Sequence, residues 1–162
     1  MSDIPKILVI GNSQAGKSSL AGMIASHFNC NWAGTSMAII HSLSYDAHCI
    51  DRYPDIFYRL KTGPLYGDLF RKFLFNVGNR MRETDPATLA KDCLLAANIV
   101  EGVRTKEEFQ ACKHLFDSVI WVHRPSTEPN ETDELRIEDA DEVFDNTGTL
   151  EDLQQLVKDR FA

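Results

Sequence analysis

The stretch ILVIGNSQAGKSSLAGMIA, residues 7–25, limits what this chain can fold into more than any other. A β-branched apolar run ends at Gly11, and Leu20, Met23, Ile24 and Phe28 then recur at helical spacing. Between the strand-like and helix-like parts, Gly11, Gly16, Lys17 and Ser18 fit G-x-x-x-x-G-K-[ST] without a mismatch. The loop is irregular because its backbone is the ligand-binding group. Glycines allow turns that aim several N–H groups at one anion, and the helix that follows adds its positive end. The expected cradle for ATP phosphates is therefore Gly11, Asn12, Ser13, Gln14, Ala15, Gly16, Lys17, Ser18 and Ser19. In it Lys17 reaches the β- and γ-phosphates, and the Ser18 hydroxyl serves Mg²⁺.

The rest of the chain alternates strand-like and helix-like segments. Strands are expected at residues 4–10, 32–36, 98–103, 118–123 and 142–145. Helices are expected at 37–49, 66–81, 85–97 and 105–116, with a final helix opening at Thr149. Asp85-Pro86 reads as an N-cap followed by proline at the first helical position, and TKEE at 105–108 and TLED at 149–152 read as capping boxes. In the last helix Leu150, Leu153, Leu156 and Val157 are expected to face inward. Residues 51–64 read as a connector, and the polar, proline-broken 124–136 as a mobile, lid-like segment. This alternation predicts an α/β/α sandwich around a mainly parallel sheet of about five strands. It forms one domain over residues 1–162, with 37–85 as a helical acceptor-binding insertion. Ligands of such sheets sit beyond the carboxyl ends of the strands.

The net charge of −7 argues against a surface built to hold nucleic-acid backbone, which needs clustered Lys and Arg. Cys30, Cys49, Cys93 and Cys112 make no C-x-x-C pair and read as free thiols of a reducing compartment. The opening MSDIPK lacks a basic, then apolar, leader pattern, and no apolar run approaches the ~20 residues that span a bilayer. The expectation is a cytoplasmic protein with no membrane partner. Oligomeric state is not legible, a homodimer being among the options.

A phosphate loop alone names no reaction. The chain lacks the N/T-K-x-D guanine motif of GTPase switches, and its D-x-x-G at 145–148 follows the last strand, where it reads as a turn before a helix. Motor ATPases are generally larger assemblies. A small chain with arginines spread through its second half suits a kinase whose acceptor is itself a phosphate. Arg80 falls at i+7 from Phe73 and i+3 from Val77, on the edge of an apolar stripe, where a guanidinium must snorkel or meet an anion. Arg82 points elsewhere on that helix, and Glu83 is placed to orient an arginine. Glu101, at a strand end beside the loop, is a candidate for Mg²⁺ or its water shell, and Arg104 turns toward the acceptor. Arg124 opens the lid-like segment, and Arg136 stands at its far side.

The motif order GNSQAGKSS, VGNRMRETDPATLAKD, IVEGVRTKEEF, FDSVIWVHRP, ADEVFDNTGTLEDL resembles the small deoxynucleoside monophosphate kinases of bacteriophages, within the adenylate-kinase-like branch of phosphate-loop proteins. The resemblance spans most of the chain and is least at residues 44–66. It implies that Lys17 and Ser18 serve ATP and Mg²⁺, that Arg80, Arg82 and Arg104 hold the acceptor monophosphate, and that Arg124 serves the transferring phosphoryl group. It places the turn around Asn146 near the ATP base, and implies host cytoplasm if the chain is viral. Ser36, Glu83 and Glu101 join the expected acceptor-binding set. The loop departs from the usual G-x-x-G-x-G-K by carrying Gln14 in place of a glycine.

The expected reaction moves the γ-phosphoryl of ATP onto a (deoxy)nucleoside monophosphate. Two alternatives stand beside it. One is a kinase of another acceptor such as dephospho-coenzyme A, whose hydroxyl would call for a base, with Asp46 or Asp51 as candidates. The other is a nucleotide-binding protein without turnover. Tyr45, Tyr53 and Phe57 are candidates for sensing a 2′-hydroxyl.

Overall fold

The computed structural model describes residues 4–43, 63–64 and 67–162. Tyr45, Asp46, Cys49, Asp51, Tyr53, Phe57 and Tyr66 lie outside the described residues.

Five strands form one sheet: β1 (Ile7–Ile10), β2 (Trp32–Gly34), β3 (Ile99–Glu101), β4 (Ser118–His123) and β5 (Glu142–Asp145). Their order is β2-β3-β1-β4-β5, and every pairing is parallel. Described helices are α1 (Lys17–Phe28), α2 (Thr35–Leu43), α3 (Gly67–Arg82), α4 (Thr88–Leu94), α5 (Lys106–Cys112) and α6 (Leu150–Arg160). The expected fold class is the one observed.

Alternation along β1 explains the layers. Ile7 and Val9 join Ile99, Ile120 and Val122 under α1 and α6, against Leu20, Ile24, Leu153 and Val157. Leu8 and Ile10 join Val100, Val119 and Trp121 on the opposite face, against Ala90, Cys93, Phe109 and Cys112. The three central strands, β1, β3 and β4, are thus buried on both faces, which is why the sequence shows continuous apolar runs there rather than alternation with polar residues. The edge strands β2 and β5 leave Trp32 and Val143 exposed. A third cluster of Ile39, Ile40, Leu74 and Leu89 fastens α2, α3 and α4 together.

Several boundaries differ from expectation. Strand β1 starts at Ile7 rather than residue 4, and Ile4 is exposed. Thr35 and Ser36 open α2 instead of ending β2. Asp85 does not cap α4: its Oδ1 accepts the Ala87 N–H at 3.0 Å and its Oδ2 takes Lys91 Nζ at 2.7 Å, so the helix begins only at Thr88. Phe73 and Leu69 fall on the exposed side of α3. In α6 only Leu153 and Val157 are buried; Leu150 and Leu156 face outward because the helix meets the sheet along a single narrow stripe.

Candidate active site

Because all five strands run parallel, the residues that follow them gather at one edge of the sheet. Gly11 follows β1, Gly102 and Arg104 follow β3, and Asn146 follows β5. The glycine loop sits at the middle of that edge, since β1 is the central strand.

The loop's shape depends on three left-handed or near-forbidden positions: Gly11 at φ +151°, Gln14 at +63° and Gly16 at +98°. A Cβ on Gly11 would lie 2.8 Å from the Val122 carbonyl oxygen, so only glycine lets the loop leave β1 so close to β4. Lys17 is buried, and its ammonium group donates to the carbonyls of Gly11 (3.0 Å) and Asn12 (2.7 Å). Ser18 Oγ stands 3.3 Å from Glu101 Oε1. That hydroxyl and a buried strand-end carboxylate are both hard oxygen donors, the set a Mg²⁺ ion keeping most of its waters uses. The residues present therefore fit the metal.

Beside the loop lies a cavity of about 430 Å³. Its walls include Thr35 and Ser36 from the first turn of α2, Arg71 and Lys72 from α3, and Arg82 and Arg104. Three carboxylates, Asp68, Glu108 and Glu131, also line it, so four cations outnumber them in a chain whose net charge is −7. Gly102, at φ +103°, lets the end of β3 press on α2: a Cβ there would collide with Thr35 Oγ1. Gly34 does the same for Glu101, whose Oε1 lies 2.7 Å from where a Cβ would be.

Arg104 joins the two halves of the site. Its Nη1 donates to Asp133 Oδ1 at 2.7 Å and to Ser13 Oγ, on the loop, at 3.1 Å. Asp133 is buried, and its other oxygen accepts the Ser13 N–H at 3.0 Å and the Asn130 N–H at 3.2 Å. Asn130 Nδ2 donates to Ser13 Oγ at 2.7 Å, and Asn12 Nδ2 to the Thr127 carbonyl at 3.1 Å. The segment expected to be mobile is thus docked on the phosphate loop by its middle residues.

The expected site residues divide into two groups. Lys17, Ser18, Glu101, Ser36, Arg82 and Arg104 come together around the loop and cavity. Asn146, buried, contacts the loop itself through its side chain. Arg80 is exposed and lines neither this cavity nor its neighbour, because the buried side of α3 carries Leu74, Gly78 and, one turn later, Arg82; two residues before Arg82, Arg80 lies far around the helix. Arg124 is exposed and outside both cavities. The exposed Arg136 turns its guanidinium onto the Asp133 and Leu135 carbonyls. Glu83 is exposed and lines the neighbouring cavity of about 460 Å³, which shares Phe75, Arg82 and Glu108 with the first.

Sequence reasoning missed Arg71, Lys72, Asp133 and Glu108. The first two lie one turn after the start of α3, where they look like ordinary solvated charges. Asp133 sits in a polar tract with no pattern.

No family model matches the sequence. Over 92 residues the chain is 35% identical to shikimate kinase from Xylella fastidiosa (strain M23), a match covering 55% of this chain and 47% of that protein. The shikimate kinase of strain Temecula1 matches to the same extent. The chain spans about half the length of the curated relatives it matches. Among solved structures, shikimate kinase from Acinetobacter baumannii in complex with shikimate superposes with a TM-score of 0.52 at 14% identity, covering 98% of this chain and 93% of that one. The fold is that of a phosphate-loop kinase.

Among the described residues, no helix is long and apolar enough to cross a membrane, and no group of three or more His, Cys, Asp or Glu is arranged to hold a metal ion.

Proposed function

We propose that the chain transfers the γ-phosphoryl group of ATP to a phosphate-bearing small molecule, a deoxynucleoside monophosphate being the favoured acceptor. The observation that carries this reading is the cation-rich cavity beside the phosphate loop, with Arg82 and Arg104 in its wall and Arg104 reaching Ser13 of the loop itself. A pocket of that volume suits a ligand the size of a nucleotide. The resemblance in motif order to phage nucleotide kinases supplies the identity of the acceptor.

In this reading the backbone N–H groups of residues 11–18 hold the ATP phosphates, and Lys17 moves its ammonium from the Gly11 and Asn12 carbonyls to the β- and γ-oxygens. Ser18 and Glu101 would hold Mg²⁺, which supplies charge neutralisation at the phosphates. Arg82 and Arg104 hold the acceptor's phosphate. An oxygen of that phosphate forms a bond to the γ-phosphorus as the bond to the bridging β–γ oxygen breaks, releasing ADP and a diphosphate. The acceptor is already largely dianionic at pH 7, its second pKa being about 6, so no protein base is required. The residues docked over the loop at 127–133 exclude water that would otherwise take the phosphoryl group.

The local likeness to shikimate kinases favours one competing reading, a hydroxyl acceptor. That chemistry needs a base in the cavity, for which Asp68 and Glu131 are the exposed-side candidates. The deciding experiment is coupled measurement of ADP release against deoxy- and ribonucleoside monophosphates, dephospho-coenzyme A and shikimate. Turnover with a nucleoside monophosphate is expected; turnover only with a hydroxyl acceptor, or with none, would refute the proposal.

A further inference from the structure

Glu108 is the third residue after the Thr105 N-cap of α5, the place from which a glutamate normally reaches back to the cap's N–H. Only half of that exchange forms. Thr105 Oγ1 accepts the Glu108 N–H at 3.2 Å, but the Glu108 carboxylate turns inward and is 1% exposed. Its Oε2 lies 3.4 Å from Arg82 Nη1, and its Oε1 has no hydrogen-bond partner among the described residues. Burial pushes its carboxyl above the usual range, against the opposing pull of the Arg82 guanidinium and the Arg104 backbone N–H.

Arg82 is held just as deliberately. Its side chain is 12% exposed, and Nη2 donates to Asn79 Oδ1 at 2.7 Å. A Cβ on Gly78 would lie 2.9 Å from Ile39 Cδ1 and 3.3 and 3.4 Å from the two terminal nitrogens of Arg82, so glycine one turn back lets both α2 and the guanidinium lie close against α3. A forked, two-bond pairing with Glu108 would consume the guanidinium's donors. The single long contact leaves donors over, and the pair stands in the wall of both cavities. Burying a charge pair this loosely satisfied is costly compared with two apolar side chains, so helix bracing alone is a poor account of it.

We propose that Glu108 is a positioning residue for the acceptor: acting through Arg82, it fixes the guanidinium at the cavity wall with donors left to receive a phosphate dianion. The inference rests on the reading that the acceptor carries phosphate.

The test uses the full chain with ¹⁵N-labelled arginine. The Arg82 Nε–H signal, assigned by its loss in Arg82→Lys, is followed during titration with inorganic phosphate and with a deoxynucleoside monophosphate. The same is done for Glu108→Gln and Glu108→Asp, with ATP affinity measured in parallel. In the wild type the Arg82 signal should shift on adding either anion. Glu108→Gln should weaken both anions at least fivefold and leave ATP affinity within twofold, and Glu108→Asp should recover part of the loss. Should Glu108→Gln not fold, Glu108→Asp is expected to show the same selective loss, smaller in size. Wild-type anion affinity in the variants, an Arg82 signal that no anion moves, or an equal loss for ATP would overturn the inference. If phosphate moves Arg82 and Glu108→Gln weakens it, but no monophosphate is turned over, the positioning role stands and the nucleotide-kinase reading fails. If turnover is normal and Glu108→Gln is silent, the inference alone fails.

Discussion

Asn146 Nδ2 donates to the Ala15 carbonyl at 2.8 Å, joining the end of the last strand to the crest of the phosphate loop 131 residues earlier. The same amide nitrogen lies 2.5 Å from where a Cβ on Gly16 would be, so asparagine in this position at 146 requires glycine at 16. The backbone N–H of Asn146 is in turn anchored on the His123 carbonyl at 2.8 Å, which makes the clamp rigid. Replacing Asn146 with Ala leaves a carbonyl unsatisfied and frees the loop. The expected cost is about 1–2 kcal/mol of stability, read by denaturant unfolding, with a several-fold rise in KM for ATP and little change for the acceptor.

Lys17 is the group whose loss should most separate chemistry from folding. Its ammonium donates to the loop carbonyls of Gly11 and Asn12, and transition-state charge stabilisation of this kind is worth roughly a factor of 10²–10³ or more. Lys17→Met should lower kcat by at least that factor while the circular-dichroism melt stays close to that of the wild type.

Gln14 occupies the left-handed region at φ +63°, where a side chain costs about 1 kcal/mol and glycine costs little. Gln14→Gly should therefore be neutral or slightly stabilising and keep ATP binding. Gln14→Val, with a branched Cβ, should destabilise by about 1–2 kcal/mol. Thermal melts of the two variants side by side decide it.

The two arginines of α3 give a contrast within one helix. Arg82→Ala removes a cation from the cavity wall and strands the buried Glu108, so it should raise acceptor KM at least tenfold and lower the melting temperature. Arg80→Ala, on the exposed face outside both cavities, should leave acceptor kinetics within about twofold of wild type; a large effect there would relocate the acceptor site.

Glu108 also predicts the sign of a pH effect. Its carboxyl is raised in the folded chain, so the folded state holds its proton to higher pH than the unfolded state does. The contribution is full below the ordinary carboxylate pKa and is lost as pH climbs through the raised value. Unfolding free energy measured from pH 4 upward should carry this declining component, and Glu108→Gln should remove it.

What the sequence made legible was decided by local signals. The strands at 118–123 and 142–145 appear with the expected ends because an apolar run meets a turn on both sides. The loop was readable because its geometry is written in consecutive residues. Two copies of one pattern show where such reading stops. TLED closes both ways, Asp152 Oδ2 accepting the Thr149 N–H at 2.8 Å while Thr149 Oγ1 accepts the Asp152 N–H at 3.2 Å. TKEE closes one way only, because Arg82 of another helix offers Glu108 a charged partner in the interior. Which of Arg80 and Arg82 reaches the cavity likewise depends on where α2 packs on α3, through Ile39 and Leu74, and no spacing within the helix contains that.

The central claim is that one chain holds a triphosphate and a second phosphate anion side by side. A dinucleoside pentaphosphate, which links a donor triphosphate to an acceptor monophosphate through one phosphate chain, tests this by equilibrium calorimetry. One molecule per chain should bind at least 100-fold more tightly than ATP, with Arg82→Ala abolishing most of the gain. Affinity no greater than that of ATP alone would contradict the account.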